Sequence, residues 1–190
     1  YASFPRNSLI GTGPAEAVML RINVSLFAGI VLMSPLLFHQ VWLFVSPGFR
    51  DEEKKLFLPF VLATSGLFVA GMLFGYFVML PLSMSFFQDQ YVVLGLAPQV
   101  RMSEHLSLII HLLIAFGIIF EMPVLAYFMA RTGIVNYERM LGWGRYAIVV
   151  IFIIAAVLTP PDVVSQMSMA VPLLVLYGVS LLIVRAIAPR

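Results

Sequence analysis

Long apolar runs separated by short polar breaks organise this chain. Five can be traced, at residues 17–45, 56–87, 106–130, 146–158 and 167–184. A helix needs about 20 apolar residues to cross a hydrocarbon core roughly 30 Å thick. The first three runs exceed that, which predicts tilt, kinks or exposed ends. The fourth holds about thirteen residues, roughly 20 Å of helix, too short to span unaided. Either its ends extend into flanking polar residues or the bilayer thins beside it. The pattern predicts an all-α polytopic membrane protein with five transmembrane helices, residues 1–190 forming a single membrane domain.

Prolines punctuate the runs. Pro35 lies in the first, Pro59 and Pro81 at the two ends of the second, Pro123 in the third and Pro172 in the fifth. Each removes a backbone donor and tends to bend its helix. Bent helices side by side form a concave wall, although prolines are also simply tolerated in lipid. Gly71 and Gly75, flanked by Gly66, form a small-xxx-small pair suited to close helix contact. Trp42, Tyr76, Trp143 and Tyr146 fall near run ends, where interfacial aromatics belong.

Composition agrees with the pattern: 62% of residues are hydrophobic and only 11% charged, against about a quarter in ordinary soluble domains. Cysteine is absent, which excludes disulfides and thiol chemistry. A net charge of +2 implies no nucleic-acid surface. Charge placement is more informative. Arg50, Lys54 and Lys55 follow the first run, Arg131, Arg139 and Arg145 follow the third, and Arg185 and Arg190 end the chain. The opposite face carries Arg6, Arg21 and Arg101 alone. Positive residues mark the cytoplasmic side, so the C-terminus is expected inside and the start of the chain outside. An outer start with no signal-peptide pattern predicts one further helix upstream, six in the parent.

Glu121 is the sharpest single residue. It follows about fifteen apolar-rich residues and precedes Met122-Pro123. A carboxylate at membrane depth costs at least several kcal/mol, so it should face a cavity, a partner or a proton. A protonated acid bonding a carbonyl freed by the Pro123 bend is the alternative, with a functional role the favoured reading. His39, His105 and His111 lack metal-ligand spacing. Ser107 and His111, four apart, are a weak hint of a serine hydrolase with no oxyanion-hole motif in view. Asp89 and Asp162 read as loop residues, which argues against an intramembrane aspartyl protease. No glycine-rich phosphate loop precedes Lys54 and Lys55. No cofactor and no enzymatic activity are expected.

Two loops carry the remaining polar chemistry. At 158–166 the sequence LTPPDVVSQ forces a tight turn, with Asp162 placed to cap the last helix; an exposed acid and the Gln166 amide there also suit a partner. At 50–55 six charges stand in a row, three of them carboxylates. Asp51, Glu52 and Glu53 lie near the start of the second run, where the helix dipole favours acids. A solvated, helix-capping charge run is one reading. The other is that Glu52 or Glu53 accepts a bidentate guanidinium pair, favouring arginine over lysine through its planar fork.

Ser34-Pro35 with Gln40, Trp42, Phe44 and Pro47, then Glu53-Lys54-Lys55, resembles the second helix and first cytoplasmic loop of the TatC family. TatC is the large receptor subunit of the twin-arginine protein translocase. Ala115-Phe116-Gly117 with Phe120-Glu121-Met122-Pro123-Val124 resembles its fourth helix, and 158–166 the loop before its last. These blocks stand in family order across nearly the whole chain.

The resemblance implies six helices forming a cup in a bacterial inner membrane. It implies binding of twin-arginine signal peptides and, with TatA and TatB, movement of folded proteins by the proton-motive force. Self-association is implied too. Phe44, Pro47, Glu52, Glu53, Lys54 and Lys55 would belong to or flank the signal-peptide site. Glu121 would be the polar group of the concave face, and Asp162 and Gln166 would lie at the outer end near partner helices. Two positions depart from the family pattern. Glu52 stands where a histidine is expected, and Gly178 follows Tyr177 where members often carry glutamate. Without the family's acidic tail and first helix, these residues alone should bind signal peptide poorly. A proton-coupled small-molecule transporter using Glu121 is the alternative, although no inverted repeat supports it.

Overall fold

The computed structural model describes residues 9–10, 13–46, 57–93, 100–158 and 163–187. Each apolar run becomes helix. The first is α1 (Pro14–Val45), with Pro35 inside it. The second is α2 (Phe57–Phe74), a π-helical turn (Gly75–Met79) and α3 (Leu80–Val93). The third divides into α4 (Met102–Ile119) and α5 (Met122–Arg131). A short α6 (Tyr137–Gly142) then leads into α7 (Gly144–Leu158) and α8 (Val163–Ile187). A two-residue parallel pair, β1 (Leu9–Ile10) against β2 (Val100–Arg101), is the sole strand pairing among the described residues.

Among the described residues, four stretches are long and apolar enough to span a bilayer: Ala15–Phe44, Phe57–Asp89, Met102–Arg131 and Gln166–Ile187. The fold is therefore a polytopic helical membrane protein. The fourth run stays short, since α7 has 15 residues and reaches about 22 Å. Asp89 departs from its reading as a loop residue. It lies within α3, exposed, because the helix continues past the apolar run.

Two of the five prolines follow a helical irregularity, each accommodated differently, whereas Pro35 and Pro172 lie inside uninterrupted helices and Pro59 in the first turn of α2. Ahead of Pro81 the chain widens into the π turn, which shifts the carbonyl that the pyrrolidine ring would strike. Ahead of Pro123 the helix breaks at Phe120–Glu121. There the Glu121 N–H donates to the Ile118 carbonyl (3.1 Å) and helical bonding resumes with Leu125 N–H to the Glu121 carbonyl (2.9 Å). At the end of α5, Gly133 adopts φ +74°, the left-handed conformation that ends helices, and Asn136 Oδ1 caps α6 by accepting from Arg139 N–H (2.9 Å).

α2 and α4 approach closely at two glycines. A Cβ on Gly71 would clash with the Phe116 carbonyl oxygen and lie 2.8 Å from Phe120 Cβ. Gly117 answers from the other side, since a Cβ there would meet the Phe68 ring at 2.7 Å. Gly75 has ordinary space, its virtual Cβ 3.4 Å from Leu113 and Phe116 side-chain atoms, and Gly66 faces open space. The small-residue reading therefore holds for Gly71 and, by spacing, Gly75. Phe116, fully buried, also anchors the main core with Met79, Leu112, Ile151, Ala155, Met169 and Leu173. α1 is the least covered helix, with 6% of its most apolar window buried.

Candidate functional site

The charged segment 47–56 joins α1 to α2, and an aromatic cluster fixes both of its ends. Trp42, near the end of α1, packs against Phe57 (6.3 Å between ring centres) and Phe60 (5.0 Å) at the start of α2. His39 stacks edge-on against Phe57 at 5.1 Å. Phe128 of α5 closes the group, 5.7 Å from Trp42 and edge-to-face with Phe60 at 4.6 Å. Edge-to-face aromatic pairs are worth about 0.5–1.5 kcal/mol each beyond the area they bury. Trp42 is thus a core residue, 4% exposed, and not the interfacial aromatic its position suggested. Trp143 and Tyr146 are about half exposed beside the start of α7, whereas Tyr76, equally exposed, lies in the π turn near the middle of the 57–89 span and not at a run end.

Phe44, two residues beyond Trp42, points the other way and is 87% exposed, beside Ser46, which ends α1 with its N–H on the Trp42 carbonyl. A phenylalanine so bare on a clamped helix end is available to a ligand. Pro47, Glu52, Glu53, Lys54 and Lys55 lie outside the described residues, as does Asp162. The sequence reading singled out Phe44 but missed the roles of Phe57, Phe60 and Phe128. Phe57 and Phe60 carry a local signal, an i, i+3 pair opening α2; Phe128 carries none, because its partners are remote in sequence.

Glu121 stands at the joint of α4 and α5 and is 7% exposed. Its Oε1 is enclosed without a hydrogen-bond partner among the described residues, so no freed carbonyl satisfies that oxygen. Gln166 near the start of α8 donates from Nε2 to the Phe152 carbonyl (3.1 Å), tying α8 to α7. Tyr177 donates to the Met140 carbonyl (2.6 Å), tying α8 to α6. Ser107 and His111 do meet, Oγ to Nδ1 3.3 Å, but Nδ1 lies 2.7 Å from the Ser107 carbonyl oxygen. A carbonyl only accepts, so Nδ1 carries the proton and is unavailable as a base toward that hydroxyl. The pair is a helix-surface contact.

The family model for Sec-independent protein translocase protein (TatC) matches residues 2–172. The chain belongs to the TatC family. A TatC of Helicobacter pylori strain J99 is 43% identical across 98% of this chain and 76% of its own length. The TatC of Aquifex aeolicus is 36% identical across 94% of this chain and 75% of its own. Among solved structures, a crystal structure of the twin arginine translocase receptor TatC in DDM superposes with a TM-score of 0.83 at 35% identity, covering 93% of this chain and 79% of the other. A second crystal structure of that receptor gives 0.80 at 36% identity. Membership of TatC makes this chain a multi-pass component of a protein translocase. It also places the clamped α1–α2 end and the buried Glu121 within a receptor fold.

Proposed function

We propose that this chain is the receptor subunit of a twin-arginine translocase in a bacterial inner membrane. It binds twin-arginine signal peptides and works with TatA, TatB and further copies of itself. Together they move folded proteins across the bilayer using the proton-motive force. The arginine- and lysine-rich end faces the cytoplasm, with the C-terminus on that side. The observation that carries the reading is Phe44, bare on a helix end held by Trp42, Phe57, Phe60 and Phe128, at the edge of a segment with three adjacent carboxylates.

Glu53 accepts a guanidinium of the signal peptide through paired, charge-assisted hydrogen bonds while Phe44 packs beside it. Pro47 and Glu52 belong to the same site, and Lys54 and Lys55 flank the acids in sequence. Because lysine offers a point charge where arginine offers a planar fork, the site discriminates by geometry as well as charge. Glu121 supplies the polar group of the inner face, and Asp162 and Gln166 present the outer end to partner helices. The test is site-specific crosslinking of full-length protein to arginine- and lysine-bearing signal peptides. Glu53→Gln should weaken capture of the arginine form by about tenfold, since a hydrogen bond to a charged group contributes roughly 1.5–3 kcal/mol. Unchanged discrimination in Glu53→Gln and in the double variant with Glu52→Gln would refute the assignment.

A further inference from the structure

A groove of about 570 Å³ runs along the membrane-facing side between α5, α6, α7 and α8. That volume lies within the roughly 300–1,000 Å³ typical of small-molecule sites. Met122, Leu125 and Met129 form one wall, and Val150, Ile151 and Ile154 the other. From Tyr146 to Ile154 the α7 wall extends about 12 Å along the helix axis, so the groove is elongated across the bilayer and not along its surface. The thioethers on its wall adapt to a flexible apolar occupant.

The groove's own lining is apolar, and two exposed arginines, Arg139 and Arg145, stand just outside one end of it. Trp143 and Tyr146 form its mouth, both about half exposed. The Arg145 guanidinium stacks on the Tyr146 ring, 4.8 Å from its centre. Arg139, exposed beside the lining Met140, donates from Nη1 to the Ile134 carbonyl (3.3 Å), next to the lining Val135. Among the described residues no charged side chain lines the groove; Glu138, on the same short helix as Arg139, is exposed outside it.

We propose that this groove is a binding site for an anionic phospholipid, with one acyl chain between α5 and α7 and the headgroup phosphate at Arg145 and Arg139. Moving an acyl chain from bilayer to groove gains little by itself, because lipid tails are already as apolar as leucine. Selectivity therefore resides in the headgroup. A basic side chain near the membrane surface contributes about 1 kcal/mol toward an anionic lipid, or roughly fivefold in retention. The site is separate from the α1–α2 end and does not depend on signal-peptide recognition.

Native mass spectrometry of the delipidated full-length protein tests this, with phosphatidylglycerol or phosphatidylcholine of identical acyl chains added back. Phosphatidylglycerol should be retained at least about fivefold better. That preference should vanish in the double variant Arg139→Gln and Arg145→Gln, and persist in Arg145→Lys and in Arg21→Gln on the opposite face. Ala147→Phe, which fills the mouth, should lower retention of both lipids. Because Arg139 and Arg145 are exposed, their variants stay informative even if Ala147→Phe fails to fold. Equal retention of the two lipids by the unaltered protein, or a preference surviving the double arginine variant, overturns the proposal. A photocrosslinker at Val150 should capture lipid; capture of a single-span protein in its place overturns it equally.

Discussion

Replacing Gly71 by alanine tests the packing that joins α2 to α4. The added methyl would clash with the Phe116 carbonyl oxygen and lie 2.8 Å from Phe120 Cβ and 2.9 Å from the Phe116 carbonyl carbon. Two of these atoms are backbone, so no rotamer change relieves the contact and the helices must separate. Separation also loosens Phe68 from Gly117 and draws fully buried Phe116 out of the main core. Overpacking of a well-packed core costs about 1–3 kcal/mol; a clash against backbone belongs at the upper end, about 2–3 kcal/mol, of which the gain in helix propensity of about 1 kcal/mol offsets only part. A chain of this size shifts by about 2–4 °C per kcal/mol, so Gly71→Ala should lower the melting temperature by about 2–8 °C. Two internal controls share the helix substitution without the clash. Gly66→Ala meets open space, and Gly75→Ala meets side chains at ordinary 3.4 Å contact. Both should hold or raise the melting temperature. The measurement is thermal unfolding of the three purified full-length variants in one detergent. A Gly71→Ala protein as stable as Gly66→Ala would refute the close approach of α2 to α4.

Three further outcomes follow from the same coordinates. Glu121→Met removes an enclosed carboxyl whose Oε1 has no partner among the described residues, so the free energy of unfolding should rise by about 1–3 kcal/mol while cargo transport falls; a loss of stability would show that the carboxyl is satisfied. Tyr177→Phe leaves the Met140 carbonyl without its donor at the α6–α8 contact and should cost about 1–3 kcal/mol in denaturant unfolding, with no effect expected on α1 or α2. Asn136→Ala removes the α6 cap and should cost about 1 kcal/mol, recovered largely by Asn136→Ser or Asn136→Asp, as measured in the same unfolding assay.

Much of this architecture was legible before any coordinates. Each of the five apolar runs became helix, because a chain in lipid must satisfy its backbone groups internally and helices do so locally. Pro81 and Pro123 marked irregularities in their helices, since a missing N–H is a property of one residue, while Pro35 and Pro172 are carried inside unbroken helix. The short fourth run stayed short. Gly71 read correctly as a contact residue, and the ordered blocks around Phe44, Glu121 and Gln166 pointed to the TatC family. These are all properties of near neighbours in sequence.

Other features belong to the tertiary structure alone. Trp42 looked interfacial and is buried, because Phe60 and Phe128, eighteen and eighty-six positions away by number, converge on it. Whether a proline bend becomes a π turn, as before Pro81, or a break, as before Pro123, depends on what packs beside it. That Ser107 and His111 form no base pair rests on a 2.7 Å contact to a carbonyl. The groove beside α7 arises where four separate segments fail to close against one another, and no local pattern of apolar residues records such a gap. Periodicity and residue chemistry are carried by the chain itself; burial, partnership and empty space exist only once remote segments have met.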